Sequence, residues 1–280
     1  MKRLALPIAM TTALLAAVVG PFSFGAAQAA TTTTLPTLTL TINPSSITVG
    51  GTLQSGGVNV VSTATGVKEA SAVLFLLKPG VSVTEFYAFL ESKGSKDLNS
   101  TSKYGSIVFD AEAEPGPSSE AQTNLQPGQY VALVAGGEGP PKSRASFTVA
   151  AAKSPVALPT PQATVRSIEF GFRGPSTLHD GELVRFENEG FLVHMDVAFQ
   201  VKNMKSAKKA IKLLLAGKEK QAGKLGIGGA GFAGPLSPGG FQQETITAKP
   251  GVYVEACFMD TQDGRNHTLL GMERIIKIVK

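Results

Sequence analysis

Alternating apolar and polar positions mark both ends of this chain. The segment LTLTINPSSITVGG, residues 38–51, places Leu38, Leu40 and Ile42 on one face, turns at Asn43-Pro44 and alternates again, as half-buried strands do. VRSIEFGF (165–172), GELVRFENEG (181–190) and MERIIKIVK (272–280) carry the same period. Between them lie two segments of helical period, VTEFYAFLESKG (83–94) and SAKKAIKLLLAGKEKQ (206–221), each ending near a glycine. Strands flanking a single helix, twice over, predict an all-β fold: two antiparallel Greek-key β-sandwiches, each with one inserted helix.

The two halves read as one unit written twice. LFLLKPG, a helix, LQPGQYVALVA and the closing strand SRASFTVA are matched by AFQVKN, a helix, AKPGVYVEACF and RIIKIVK. Lys78 then corresponds to Lys202 and Tyr130 to Tyr253, at nearly constant offset. The seam is AAAKSPVALPTPQAT, whose prolines favour extended backbone and whose small residues offer little to pack. The expected organisation is a first domain over 30–150, a linker over 151–164 and a second domain over 165–280. Ahead of them, Lys2 and Arg3, an apolar run over 4–19 and Ala27-Gln28-Ala29 form an export signal expected to be cleaved near Ala29. The expected location is periplasmic, cell-envelope or secreted, with no membrane span in the mature chain.

Charge changes this picture little. Residues 30–164 hold 8 Lys and Arg against 9 Asp and Glu, and residues 165–280 hold 16 against 12. The excess lacks aromatic interleaving, so nucleic acid is not an expected partner. Cysteine usage changes it more. An exported chain with 1 cysteine and 3 histidines forms no internal disulfide, so Cys257 is either a buried inert thiol or a ligand. Cys257, His267 and Met272 follow one another in the last segment, and His194 lies upstream in FENEGFLVH. One thiolate, two imidazoles and a thioether are the donor set of a mononuclear electron-transfer copper site.

The second half resembles the cupredoxins, the blue-copper β-sandwich proteins of plastocyanin type. An F-x-N segment precedes the first histidine, here Phe186, Asn188 and His194. A G-x-Y segment leads into the rest, here Gly251-Val252-Tyr253, then Cys257, then His267-Thr-Leu-Leu-Gly271-Met272. The resemblance implies tandem cupredoxin-like domains, with one copper ion in the second held by His194, Cys257, His267 and Met272. In the first copy Cys257 maps to Val134 and His194 to about Ala70, so that copy is expected to hold no metal. The resemblance also implies that Asn188 ties the two ligand-bearing segments together and that Phe191 and Phe258 keep water from the sulfur. One departure is the connection from Cys257 to His267, which is longer than in the family and contains the turn signal Asp263-Gly264. Two outcomes follow from it: a bulge that returns His267 to the cysteine, or a site that no longer closes.

Other features read more plainly. Lys205, Lys208, Lys209 and Lys212 form a basic helical face opposite Ile211, Leu214 and Leu215, either solvated or a docking patch for an acidic redox partner. GIGGAGFAGPLSPGG lacks the Gly-Lys-Ser/Thr of a phosphate loop and reads as a flexible connection. His179, in STLHDGE, reads as a turn residue. No G-x-S-x-G appears and no histidine is spare as a base, so hydrolysis finds no support. The expectation is an electron carrier or binding protein rather than a catalyst. The alternatives are a metal-free envelope binding module and a thiol–imidazole enzyme built on Cys257 and His267.

Overall fold

The computed structural model describes residues 34–67, 70–93, 98–113, 119–135 and 141–280. The segment expected to be an export signal, residues 1–29, lies outside the described residues. From Leu35 onward the chain forms one compact unit made of two β-sandwiches in tandem, as the periodicity predicts.

The first half runs β1 (Thr37–Asn43), β2 (Ser46–Gly51), β3 (Gly56–Ala64), β4 (Ala70–Leu77), α1 (Val83–Lys93), a 3-10 turn at Leu98–Lys103, β5 (Gly105–Ala113), β6 (Ser119–Leu125), β7 (Gly128–Ala135) and β8 (Arg144–Val149). Leu38, Leu40 and Ile42 point inward against Val60, Leu74, Phe109 and Tyr130. β4 is apolar on both faces, since Val73, Phe75 and Leu77 point away from that core. The inserted helix answers this: Phe86, Phe89 and Leu90 of α1 cover them, each burial worth about 1.5–3 kcal/mol.

The second half repeats the plan with β9 (Ala163–Ile168), β10 (Gly171–Arg173), β11 (Thr177–His179), β12 (Leu183–Asn188), β13 (His194–Val201), α2 (Met204–Leu215), the short α3 (Glu219–Gly223), β14 (Gly226–Leu236), β15 (Phe241–Thr245), β16 (Gly251–Ala256) and β17 (Glu273–Val279). Ala207, Ala210 and Leu214 of α2 cover Val254 and Ala256 of β16. Asn203 caps α2 by accepting from the Ser206 amide at 3.0 Å. Leu215, expected on the covered face, is 47% exposed, because α2 ends there and turns into α3.

Sheet order exposes the duplication. An eight-stranded sheet runs β10-β9-β12-β15-β6-β3-β1-β2 and is the same unit read from either end. β1 is parallel to β3 as β9 is to β12, and the halves meet where Gln243 of β15 pairs with Gln122 of β6. Facing it are β5-β4-β7-β8 in the first half and β14-β13-β16-β17-β11 in the second. The matched tyrosines do the same local work. Tyr130 donates its hydroxyl to the Gln126 carbonyl at 3.0 Å, and Tyr253 donates to the Lys249 carbonyl at 2.6 Å.

One expectation is overturned. The glycine-rich segment is no flexible connection: residues 226–236 are β14, paired with β13 and laid across β5 of the other half. Its glycines permit that approach. A Cβ at Gly231 would stand 3.0 Å from Glu112 Oε2, and one at Gly234 would run into the buried Asp110 side chain. Ser237 and Ile107 exchange two hydrogen bonds, and the Asp110 amide donates to Gln242 Oε1 at 3.0 Å. Glycine composition signals freedom in isolation, yet here it signals a close backbone crossing.

Two outcomes are expected. Gly234→Ala should lower stability in urea by about 1–3 kcal/mol, where a flexible connection would lose nothing. Burial, more than the neighbouring Glu112, pushes the Asp110 carboxyl up to about 7. Its stabilising contribution is therefore complete below about pH 4, the unfolded value, and is lost as pH rises through about 7. Asp110→Asn should flatten the fall in denaturation midpoint across that window.

Candidate metal centre

β12 ends at Asn188 and β13 begins at His194, and a tight loop between them presents the imidazole. Asn188 builds that loop. Its Nδ2 donates to the Leu192 carbonyl at 2.8 Å and the Leu236 carbonyl at 2.7 Å, and its Oδ1 accepts from the Gly190 amide at 2.9 Å. It thus closes the loop onto β14, not onto the Cys257 segment as expected. Gly190 has no room for a side chain, since a Cβ would lie 2.7 Å from His194 Nε2 and 2.6 Å from Glu169 Oε1.

Cys257 follows β16, and its amide donates to the Met272 carbonyl at 3.1 Å. The long connection bulges outward and returns. Asp260 pairs with Asn266, the Thr261 amide donates to the Arg265 carbonyl at 2.9 Å, and Gly264 takes φ +80° at the tip. Asn266 then anchors the return: its Nδ2 donates to the Phe258 carbonyl at 3.0 Å, while its Oδ1 caps the 3-10 turn His267–Leu270. The His267 amide donates to the Met259 carbonyl at 2.8 Å, and the Met272 amide to the His267 carbonyl at 3.1 Å.

The result is a buried triad. Cys257 Sγ lies 3.3 Å from His267 Nδ1 and 3.8 Å from His194 Nδ1, with the imidazole centroids 4.9 Å apart. The three side chains are shut off from solvent. Met272 is fully buried just before β17, its backbone bonded to both Cys257 and His267. His179 stands apart, exposed on β11 with Nδ1 3.2 Å from the Lys280 carbonyl.

Burial sets the protonation states. It pushes the Cys257 thiol up to about 12, and it pulls His267 down to about 4, with His194 adding to the effect. Burial also lowers His194 against the pull of Glu169. Both imidazoles are therefore neutral at physiological pH and keep a lone pair to donate. On β13 two positions further on, the buried Asp196 carboxyl group faces Glu255. Burial and the adjacent Glu255, itself paired with Arg274, raise Asp196 well above the usual carboxylate range.

The aromatic cover differs from expectation. Phe191 is 87% exposed and shields nothing, because Glu169 accepts from the amides of Phe191 and Leu192 and turns that loop tip outward. Phe258 is only half-buried and packs under α2. The ring against the site is Phe170, edge-on to His267 at 5.3 Å between centroids. Its φ of +55° is strained for a bulky residue and sits at the β9–β10 turn. Nothing local in the sequence singled it out.

The donors fit a metal. An ion about 2 Å from nitrogen and about 2.3 Å from sulfur keeps those donors about 3.5–3.8 Å apart, bracketed by the separations seen. Among the described residues Nε2 of His267 has no hydrogen-bond partner, and Nε2 of His194 has only the Glu169 carboxylate at 3.6 Å, so the buried imidazoles are sparsely compensated. A thiolate with two imidazoles suits copper, which stands above zinc in the divalent affinity order.

Tandem sandwiches with such a triad in one of them define a cupredoxin-like protein. No protein-family model and no curated protein matches the chain. Solved structures do. Reduced auracyanin from Roseiflexus castenholzii is 20% identical over 42% of this chain and 95% of its own, with TM-score 0.27. The copper nitrite reductase of Thermus scotoductus is 13% identical over 87% of this chain and 67% of its own, with TM-score 0.24. The blue copper oxidase of Nitrosomonas europaea is 11% identical over 86% and 85%, with TM-score 0.22. The matches that span both halves are enzymes, which overturns the expectation of a carrier or binding protein rather than a catalyst. All three TM-scores are low, so the class rests on this chain's own sheets and buried triad.

Because the thiol is protonated and the imidazoles are not, metal ligation must expel one proton. Titrating a divalent ion into weakly buffered protein near neutral pH should release about one proton per ion, and affinity should rise about tenfold per pH unit through the neutral range. Release of two or more protons would mean that the histidines are charged in the free protein.

Proposed function

We propose that this is an exported copper protein whose single copper ion, held by His194, Cys257, His267 and Met272, passes single electrons. One observation carries the reading: a fully buried thiol with the Nδ1 atoms of two neutral imidazoles at 3.3 and 3.8 Å. When bound, copper supplies a one-electron couple that no side chain of this set supplies alone.

The chain's own part is to hold the donors still. His194 is fixed at the start of β13, Cys257 at the end of β16, and His267 in a capped 3-10 turn. The Met195 amide donates to Cys257 Sγ at 3.4 Å, which favours the thiolate over the thiol. Phe170 and the strands exclude water. A cage built this way changes little when the charge at its centre changes by one, which is what rapid electron transfer requires.

Export is supported by the leader-like composition of the first residues and by the single, buried cysteine. Among the described residues no helix is long and apolar enough to cross a membrane. Lys205, Lys208, Lys209 and Lys212 are exposed and line a shallow cavity of about 510 Å³ on α2, which packs against the His267 turn. That basic face suits an acidic redox partner.

Copper titration of the mature protein, followed by visible absorption and electron spin resonance, tests the assignment. One equivalent should bind, and Cys257→Ser and His194→Ala should each abolish the charge-transfer band. A chain that takes up no stoichiometric copper, or binds it regardless of these substitutions, is a metal-free module instead.

A further inference from the structure

The half of the chain without metal donors meets both ligand-bearing loops of the other half through Asn99. We propose that Asn99, on the first half's 3-10 turn, is a positioning residue for the metal centre, closing both ligand-bearing loops through one side-chain amide. The proposal rests on the copper reading above.

Asn99 Oδ1 accepts from the Val193 amide at 2.8 Å, and its Nδ2 donates to the Asp260 carbonyl at 2.9 Å. Val193 immediately precedes His194. Asp260 lies in the Cys257–His267 connection, paired with Asn266, which in turn caps the turn bearing His267. One planar group therefore sets the spacing between the His194 loop and the Cys257–His267 loop. The role expected of Asn188 falls to a residue far away in sequence and in the other half.

Both loops also rest on one apolar floor. Val193 is buried, and Met259 packs partly buried, among Phe75, Phe86, Phe89 and Leu98 of the first half. The turn carrying Asn99 is itself anchored. Thr101 Oγ1 donates to the Leu98 carbonyl at 2.6 Å, Lys78 Nζ to the Ser102 carbonyl at 2.5 Å, and the Lys78 amide to the Tyr104 carbonyl at 2.8 Å. Tyr104 packs against Phe89 with ring centroids 4.6 Å apart. Asn99 thus stands on a stiff base, as a group must if it is to hold ligands at fixed separation. Its two roles need an acceptor and a donor on one short side chain. Aspartate keeps only the acceptor and alanine keeps neither.

The test uses the full chain with Asn99→Ala, Asn99→Asp and, as a distant amide control, Asn59→Ala, whose side chain bonds Glu120. Copper affinity should fall about 10–100-fold in Asn99→Ala and less in Asn99→Asp, with a shifted charge-transfer band in both, while Asn59→Ala keeps wild-type affinity and band. Loss of melting temperature with affinity and band unchanged would mean a purely structural residue and overturn the proposal. If the wild-type chain takes up no copper, the copper reading falls, and amide exchange of the metal-free protein decides the clamp. Residues 190–195 and 258–267 should then exchange faster together in Asn99→Ala, and unchanged exchange in either stretch overturns it. Should Asn99→Ala fail to fold, Asn99→Asp carries the same readouts: faster exchange over 258–267 with 190–195 protected supports the clamp, and wild-type exchange in both refutes it.

Discussion

The crossing of β14 over β5 is the contact on which the rest of the molecule depends. Two sandwiches that met only at the Gln122–Gln243 pair would share one thin seam. The glycine-lined strand lets the second half's backbone approach the first half closely enough for Ser237 and Ile107 to exchange hydrogen bonds and for Asp110 to bond Gln242. β14 is also the partner of β13, and the pairing of Leu236 with His194 sets where that histidine starts. The interface and the site therefore share a strand, and whatever displaces one displaces the other.

The site is expensive in folding terms. Three polar side chains are taken out of water, and among the described residues Nε2 of His267 finds no hydrogen-bond partner and Nε2 of His194 only Glu169 at 3.6 Å. Each such burial opposes folding. Phe170 adds backbone strain at the turn that closes over His267. The thiol stays protonated and the imidazoles neutral, so those three side chains carry no charge into the interior. A bound cation would offset part of that cost through the Cys257 sulfur and the two Nδ1 lone pairs that converge on it.

Duplication explains how such a site is framed. Both halves keep the strand order, the inserted helix over a doubly apolar strand and the tyrosine bonded to the carbonyl four residues earlier. These features serve the sandwich, so each copy needs them. The donors serve only a ligand. One copy holds them, while the other offers an apolar floor and an amide to the loops that hold them.

Much of this was legible in the residues themselves. The alternation in 38–51 and the helical period in 83–94 and 206–221 record which positions face a neighbour, and that record is local. The duplication and the candidacy of His194, Cys257 and His267 are likewise matters of residue type and spacing, and the fold brings those three side chains together. What the tertiary structure alone decided lies between segments distant in the chain. Glycines in 226–240 read as slack until the strand they let past is seen. Phe191 and Phe170 differ in nothing local, yet only Phe170 meets His267. Asn99 and Asp260 are joined across most of the chain by one hydrogen bond. A sequence carries the burial of each element in its period, but a contact between elements exists only once both have folded, so it leaves no mark on either alone.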